Sequence, residues 1–346
     1  MVIKKINEKL YFSDKSSAFS KKVVQMKFLY LLFIFFILSC TPSLKQSNSE
    51  VKTNLGVRGN QELADIFSSY KEKSKHCKSA TSGQIPIIIT GFGMYHGNYN
   101  ISGVLSELLG SENTSHLSQQ EITQSMGRTS FEDFGGRVFQ KVITIKNKHY
   151  NICSMVLDVK WDLAAAIIIH EINLFKPKAV LMMGQEEALS IEKGALNITG
   201  HKMPGVDSDG NAVGFNNPHS EWILDPNLHN KLPHKVLHSW NGEKIKNALN
   251  EIQIDLNYPI ILQKDANQYN DYVCNNTAYI VQFAANSGST IKLAGDKIQT
   301  QINNIARRIQ IGFLHLPWKA MSTEKDETKI WVESIQSVMS EMSSEN

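Results

Sequence analysis

The stretch that decides the fold is Ile85-Pro86-Ile87-Ile88-Ile89-Thr90-Gly91. Its apolar, β-branched residues are typical of a strand buried on both faces, and the glycine ends it. Apolar residues follow at Val104, Leu105, Leu108 and Leu109, so we predict a strand, a glycine loop and a helix in that order. The loop lacks both the GxGxxG pattern and the lysine-serine ending of a P-loop, and we therefore predict no nucleotide site.

The same alternation continues to the end of the chain. Further strands are predicted at residues 152–157, 178–183 and 258–262, and helices at residues 161–175, 275–285 and 331–342. Strands that alternate with helices predict an α/β fold in which helices cover both faces of a mainly parallel sheet.

Size and charge limit the classes of function. The chain has 346 residues, of which 42% are hydrophobic, and this is enough for one substantial core once a leader is removed. The net charge is +3, and no basic stripe is interleaved with aromatic residues, so we predict no nucleic-acid partner.

Residues 26–40 have the outline of a bacterial lipoprotein signal peptide. Met26-Lys27 precede an apolar run of 11 residues, 28–38, and Ser39 stands before Cys40, which we predict to be the lipidated residue. A transmembrane anchor is the weaker alternative, because a span needs roughly 20 residues. Residues 1–25 are interpreted as an extension from a mistaken start codon. The alternative is a signal peptide that begins unusually far from the first residue. We therefore predict a membrane-anchored, extracytoplasmic lipoprotein.

The rest of the chain divides into a tether and a folded body. Residues 41–83 are rich in Ser, Asn, Lys and Glu and predict a polar tether with one short helix. Residues 84–346 are predicted to form the catalytic domain. Within it, residues 111–148 are polar and poorly periodic, and we interpret them as an insertion.

Cys274 is the candidate nucleophile. In the stretch 270–276, Tyr272 and Val273 place this cysteine where a helical run begins. Unpaired backbone N–H groups and the positive end of the helix dipole favour the thiolate form of a thiol there. The alternative is a buried structural cysteine, because free cysteine is among the most buried residue types.

Candidates for a base and an orienting acid lie in two other elements. His315 lies near the end of a predicted strand that begins at Gly312 and is stopped by Pro317, and Glu192 comes shortly after an apolar strand. Triad residues meet in space rather than in sequence, so this separation suits Cys, His and Glu acting together. Taken singly, a satisfied core histidine and a solvent-facing glutamate are the ordinary interpretations.

The remaining cysteines and histidines suggest no metal. If Cys40 carries lipid, three cysteines remain, so at least one thiol is unpaired; Cys153, inside a strand, is expected to be buried. His234 and His238 are one helical turn apart, but no His-Glu pattern flanks them, and a solvated histidine face is expected. Residues 207–211 resemble part of a calcium loop but lack its end ligands, so we interpret them as a turn. No cofactor is predicted.

Five segments carry an ordered set of motifs: Thr-Gly-Phe-Gly-Met-Tyr at 90–95, Asn-Ile-Ser at 100–102, Gly-Gln followed by Glu and Asn at 184–197, Tyr-Val-Cys-Asn at 272–275, and Gly-Phe-Leu-His-Leu-Pro at 312–317. They resemble the pyroglutamyl peptidase I family, the pyrrolidone-carboxylate cysteine peptidases. The resemblance covers about residues 84–342, and its most specific blocks hold Cys274 and His315. It implies a three-layer α/β/α body.

The resemblance also implies roles and departures. Cys274, His315 and Glu192 match the catalytic positions, and the substrate-binding positions implied are Phe92, Tyr95, Gln185, Lys202, Tyr272 and Val273. Met94 and Tyr95 replace the family's Pro-Phe, Asn276 replaces its histidine, and Lys202 replaces its arginine without the planar fork. These changes affect specificity more than cysteine chemistry.

The activity implied is removal of N-terminal pyroglutamate from peptides by thiol acyl transfer. Two alternatives remain: a lipoprotein of the same fold that binds peptides or amides without cleaving them, and an enzyme that acts on a different acylated amine. The expected partners are pyroglutamyl peptides and, through lipid on Cys40, a membrane. The oligomeric state is left open.

Overall fold

The structure is a computed structural model that describes residues 55–93, 100–111, 136–198, 223–224, 232–263, 273–303, 309–318 and 325–344. The predicted signal peptide with Cys40, the calcium-like turn, and the positions Tyr95, Lys202 and Tyr272 lie outside the described residues.

In these ranges the helices are α1 (Leu55–Lys73), α2 (Ile101–Gly110), α3 (Leu163–Phe175), α4 (Gly242–Ala248), α5 (Asn250–Asp255), α6 (Val273–Ser287) and α7 (Lys325–Ser344). The strands are β1 (Gln84–Phe92), β2 (Gly136–Ile145), β3 (Lys148–Leu157), β4 (Ala179–Glu186), β5 (Leu189–Glu192), β6 (Gly194–Leu196), β7 (Lys235–Leu237), β8 (Ile260–Gln263), β9 (Ile291–Leu293), β10 (Ile298–Thr300) and β11 (Gln310–Pro317).

A seven-stranded sheet forms the centre, in the order β2-β3-β1-β4-β11-β5-β8. The strands β3, β1, β4 and β11 run parallel to one another, whereas β2 is antiparallel to β3 and β5 is antiparallel to β11. The predicted mainly parallel sheet is therefore confirmed.

Two separate cores cover the two faces of this sheet, because side chains alternate between faces along a strand. Ile88 of β1 packs in one core with residues of α1, α3 and α6. Its neighbours Ile87 and Ile89 pack in the other, with residues of α2, α4, α5 and α7. Helices on both faces make the predicted three layers.

The folded body begins earlier than the predicted boundary at residue 84. In place of one short helix, α1 is 19 residues long. Its residues Leu63, Phe67 and Tyr70 are buried in the core, since their spacing forms one apolar stripe. A disulfide then joins Cys77 to Cys153 of β3, with 5.6 Å between the Cα atoms. Residues 55–77 are thus part of the body.

The structure adds one hairpin and corrects one further expectation. The end of the predicted insertion 111–148 forms β2, which turns through Lys146 and Asn147, both with positive φ, into β3. Such two-residue turns suit the twist of a β-hairpin. The expected solvated helical face at His238 is wrong: the chain is extended in β7 just before it, and the His238 side chain is buried, with Nδ1 3.4 Å from Gln282 Oε1.

Cys153 is fully buried, as predicted. Among the helices of the described ranges, none combines the length and apolarity that a membrane crossing requires.

Candidate active site

The site begins with three strands at the middle of the sheet. His315 of β11 is paired with Gly184 of β4 on one side and with Ser190 of β5 on the other. Residues two apart in a strand share a face, so Glu186 and Glu192 project on the same side as His315. Phe313, two residues before His315, lies in the core beneath α6, which identifies this face as the one that α6 covers.

Cys274 reaches this face from above as the second residue of α6. It is a free cysteine, buried at 9% exposure, and the N–H groups of the first helical turn have no acceptor within the helix. The missing side chain of Gly184 makes room for the Cys274 thiol, because a Cβ at Gly184 would lie 2.7 Å from Cys274 Sγ and 3.1 Å from His315 Cδ2. The thiol and the imidazole therefore meet over a position without a side chain.

His315 is oriented by Glu192. Its Nδ1 lies 3.1 Å from Glu192 Oε1, and the two side chains are 2% and 3% exposed. Burial by itself lowers the pKa of His315, but hydrogen bonds with Cys274 and Glu192, and the negative charges of both groups, raise it to about 10. With Nδ1 directed at the carboxylate, Nε2 is the nitrogen that remains for the thiol.

Glu186 is a second carboxylate at the same ring nitrogen, and sequence reasoning missed it. Its Oε2 lies 3.3 Å from His315 Nδ1 and accepts a hydrogen bond of 3.1 Å from Ser190 Oγ. The one available signal was its position two residues after Gly184, which places it on the same face of β4.

Asn275 links the start of α6 to the segment that carries Glu192. Its Nδ2 donates to the Leu196 and Ile198 carbonyls at 2.9 and 3.1 Å, and its Oδ1 accepts from the Leu196 N–H at 3.0 Å. Trp240 Nε1 donates to the Glu192 carbonyl at 2.9 Å. The relative positions of Cys274 and Glu192 are thus set by buried hydrogen bonds on both elements.

Asn276, which departs from the family pattern, has a structural partner in Asp162. Asn276 Nδ2 donates to Asp162 Oδ1 at 3.1 Å, and Asn276 Oδ1 accepts from the Asp162 N–H at 3.0 Å. Asp162 Oδ2 also accepts from the Ala294 N–H at 2.7 Å. The amide at position 276 can both donate to this aspartate and accept from it, and so ties the first turn of α6 to the residue before α3.

The predicted substrate-binding residues divide into two groups. Phe92 and Val273, the first residue of α6, are buried in the core on this face of the sheet, and Gln185 Oε1 accepts a hydrogen bond of 3.0 Å from the Ile101 N–H at the start of α2. Tyr95, Lys202 and Tyr272 lie outside the described residues. All six substrate roles stay predictions.

In the part of the chain that the structure describes, two sets of side chains bring potential metal-binding atoms within 4.8 Å of one another: Glu186, Glu192 and His315, and His76, His170 and Glu171. Hydrogen bonds or ion pairs already engage these atoms in both sets. In the second set His76 Nδ1 lies 2.6 Å from Glu171 Oε1, which also accepts from Tyr70 Oη at 2.8 Å. We therefore assign neither set to a metal.

The chain matches no protein-family model and no curated protein sequence. Among solved structures it is similar to pyroglutamyl peptidase I of Bacillus amyloliquefaciens, with 16% identity over 75% of this chain and 98% of that chain and a TM-score of 0.44. It is also similar to pyrrolidone carboxyl peptidase of Pyrococcus furiosus, with 17% identity, 75% and 100% coverage and a TM-score of 0.44. A mutant of that peptidase has a TM-score of 0.46 at 17% identity, covering 75% of this chain and 99% of that chain. The roles proposed below rest on the geometry of this chain.

Proposed function

We propose that the chain is a cysteine peptidase that removes N-terminal pyroglutamate from peptides. The observation that carries the proposal is the meeting of Cys274 and His315 over Gly184, with Glu192 on the other ring nitrogen. A nucleophile, a base within hydrogen-bond reach and a third group that orients the base are the parts that acyl transfer requires. A binding protein without activity would have no need of this arrangement.

The reaction would proceed in two steps. The Cys274 thiolate attacks the carbonyl carbon of the pyroglutamyl residue, and the protonated His315 gives its Nε2 proton to the departing amine, which leaves a thioester. His315 then takes a proton from water, the resulting hydroxide attacks the thioester carbonyl, and cleavage of the C–S bond releases pyroglutamate and regenerates the Cys274 thiolate beside the protonated His315. Glu192 holds the ring in the required tautomer throughout.

The tetrahedral oxyanion would be stabilised by the backbone N–H groups of the first turn of α6, helped by Lys202. A pyroglutamyl ring is neutral, flat and weakly polar, so it suits an apolar pocket, which we assign to Phe92, Tyr95, Tyr272 and Val273. Gln185 would lie at the edge of this pocket.

We further propose that the protein is a lipoprotein held at a membrane by lipid on Cys40, with its catalytic body outside the cytoplasm. The support from sequence is the short apolar run that precedes Cys40. The Cys77–Cys153 disulfide supports the same compartment, because disulfides form and persist mainly in oxidising surroundings.

The test is the release of a fluorescent amine from a pyroglutamyl amide by the purified chain, beside alanyl, prolyl and glutaminyl amides. We expect turnover of the pyroglutamyl amide by the wild type and none by Cys274→Ala. Turnover of another amide alone would replace pyroglutamate by a different acyl group. Circular dichroism shows whether the purified protein is folded. If the folded protein turns over none of these amides, the enzymatic proposal is wrong.

A further inference from the structure

Two carboxylates converge on one nitrogen of His315. Glu192 approaches Nδ1 from β5 at 3.1 Å and Glu186 approaches it from β4 at 3.3 Å. The two are not equivalent, because the Glu192 side chain is 3% exposed and the Glu186 side chain is 39% exposed. Nδ1 carries a single proton, and Glu192 is its hydrogen-bond acceptor.

Glu186 is held in this place by its surroundings. It ends β4, where it is paired with Pro317 of β11, and only two residues separate it from β5. The first side chains of β5 therefore return beside it, and Ser190, which is fully buried, donates its hydroxyl proton to Glu186 Oε2 at 3.1 Å. The same oxygen is the one that lies against the imidazole.

We propose that Glu186 is a second positioning acid of His315, which stabilises the protonated imidazole beside the Cys274 thiolate. This inference rests on the proposed function for its consequence in catalysis, but the contact itself exists whatever the substrate. Glu192 orients the ring by accepting a hydrogen bond from Nδ1–H, whereas Glu186 adds negative charge next to that nitrogen.

Among the described residues, the titratable groups that face the ring are Glu186 from β4, Glu192 from β5 and Cys274 from α6. An opposite charge at such a distance favours the charged form of an imidazole, which here is the cation. Because Glu186 is partly open to water, its effect is screened, and we expect it to account for roughly one pH unit of the alkaline titration of His315.

This charge matters for the first chemical step. The leaving amine needs a proton from Nε2, so kcat/KM should fall at high pH as His315 loses its proton. Removing the charge of Glu186 should move this alkaline limb to lower pH by about one unit. A role limited to packing would lower stability and leave the limb in place.

The test compares Glu186→Gln with Glu187→Gln. Both remove one negative charge, at adjacent positions in the sequence, but the Glu187 side chain is exposed and no contact joins it to the ring. We expect the alkaline limb of kcat/KM to shift down by about one pH unit in Glu186→Gln and to stay unchanged in Glu187→Gln. Ser190→Ala, which releases Glu186 from its hydrogen bond, should shift the limb in the same direction by less.

A direct titration separates this inference from the proposed function. In full-length protein with labelled histidine, the His315 ring resonance can be identified by its loss in His315→Gln and followed with pH by NMR. The midpoint should be lower in Glu186→Gln than in wild type and Glu187→Gln, even if no pyroglutamyl amide is cleaved. Equal midpoints in the three folded proteins would overturn the role of Glu186 and leave the peptidase proposal standing.

Discussion

Gly184 of β4 and His315 of β11 are directly paired in parallel strands, and the missing side chain of Gly184 is what lets Cys274 Sγ approach the imidazole. A β-carbon would fall 2.7 Å from the sulfur, closer than carbon and sulfur atoms pack without displacement. The glycine is therefore required by contact between side chains on other elements rather than by its own backbone angles.

Gly184→Ala should disable the site while leaving the fold in place. The added methyl group has to displace either the thiol or the ring, and a displacement of about 1 Å at reacting groups can cost about a hundredfold in rate. We expect kcat/KM for a pyroglutamyl amide to fall by about that factor, measured at equal folded fraction. Gly242→Ala is the matched control, because its Cβ would meet ordinary contacts at 3.5 Å or more. Equal activity in both variants would contradict the arrangement described.

Removing the disulfide should lower stability without removing the chemistry. Cys77 and Cys153 are 76 residues apart in sequence, and closing a loop of that length restricts the unfolded chain by about 4 kcal/mol in the entropic account. For Cys77→Ala/Cys153→Ala we expect a free energy of unfolding lower by about 3 kcal/mol in urea titrations, with kcat retained at 25 °C. Wild type treated with a reductant should behave alike; loss of activity in a still-folded double variant would show that the disulfide also supports the site.

His238 should make the protein sensitive to acid. Burial lowers the pKa of His238 from its ordinary value of 6.5 to about 4, so the unfolded chain binds a proton that the folded one excludes. The contribution of the neutral His238 to the free energy of unfolding should therefore be fully present above about pH 6.5. The free energy of unfolding should fall by about 3 kcal/mol as the pH drops to about 4. His238→Gln should reduce the dependence of the free energy of unfolding on pH, which is obtained from denaturation curves measured at each pH. His149→Gln, at an exposed histidine, should keep it, and identical slopes in all three proteins would remove His238 as the cause.

Cys40→Ala should abolish lipidation and leave an unprocessed precursor. Two acyl chains on one cysteine give stable attachment where a single chain is marginal, so the wild type should sediment with membranes. Labelling with a radioactive fatty acid, followed by fractionation, measures both properties. Cys274→Ala, which removes a cysteine that forms no disulfide, serves as a control for general effects of losing a cysteine. A wild type that takes up no label and stays in the supernatant would contradict the anchor.

The alternation of strands and helices was predictable because it depends on local periodicity. The run around Ile87 and Ile89 has no polar position, as expected for a strand covered on both faces. The hairpin of β2 and β3 was missed because of its turn, Lys146-Asn147. Both turn residues have positive φ, but the dipeptide is neither Asn-Gly nor Asp-Gly, the two that most strongly predict such a turn. The early limit of the folded body was missed because three apolar residues in a polar stretch do not reveal what they pack against.

From its sequence alone, the protein is an α/β chain with a cysteine at the start of a helix, a histidine at the end of a strand and a glutamate after another strand. Each of these is a local property of the chain. The order β4-β11-β5 was decided only in three dimensions, since periodicity tells which face a side chain takes but not which strand lies beside it. That order places Gly184 opposite His315, lets Cys274 enter above it, and brings Glu186 to the same nitrogen as Glu192. The contact between His315 and Glu192 arises from packing of two strands whose paired side chains are more than 120 residues apart in sequence.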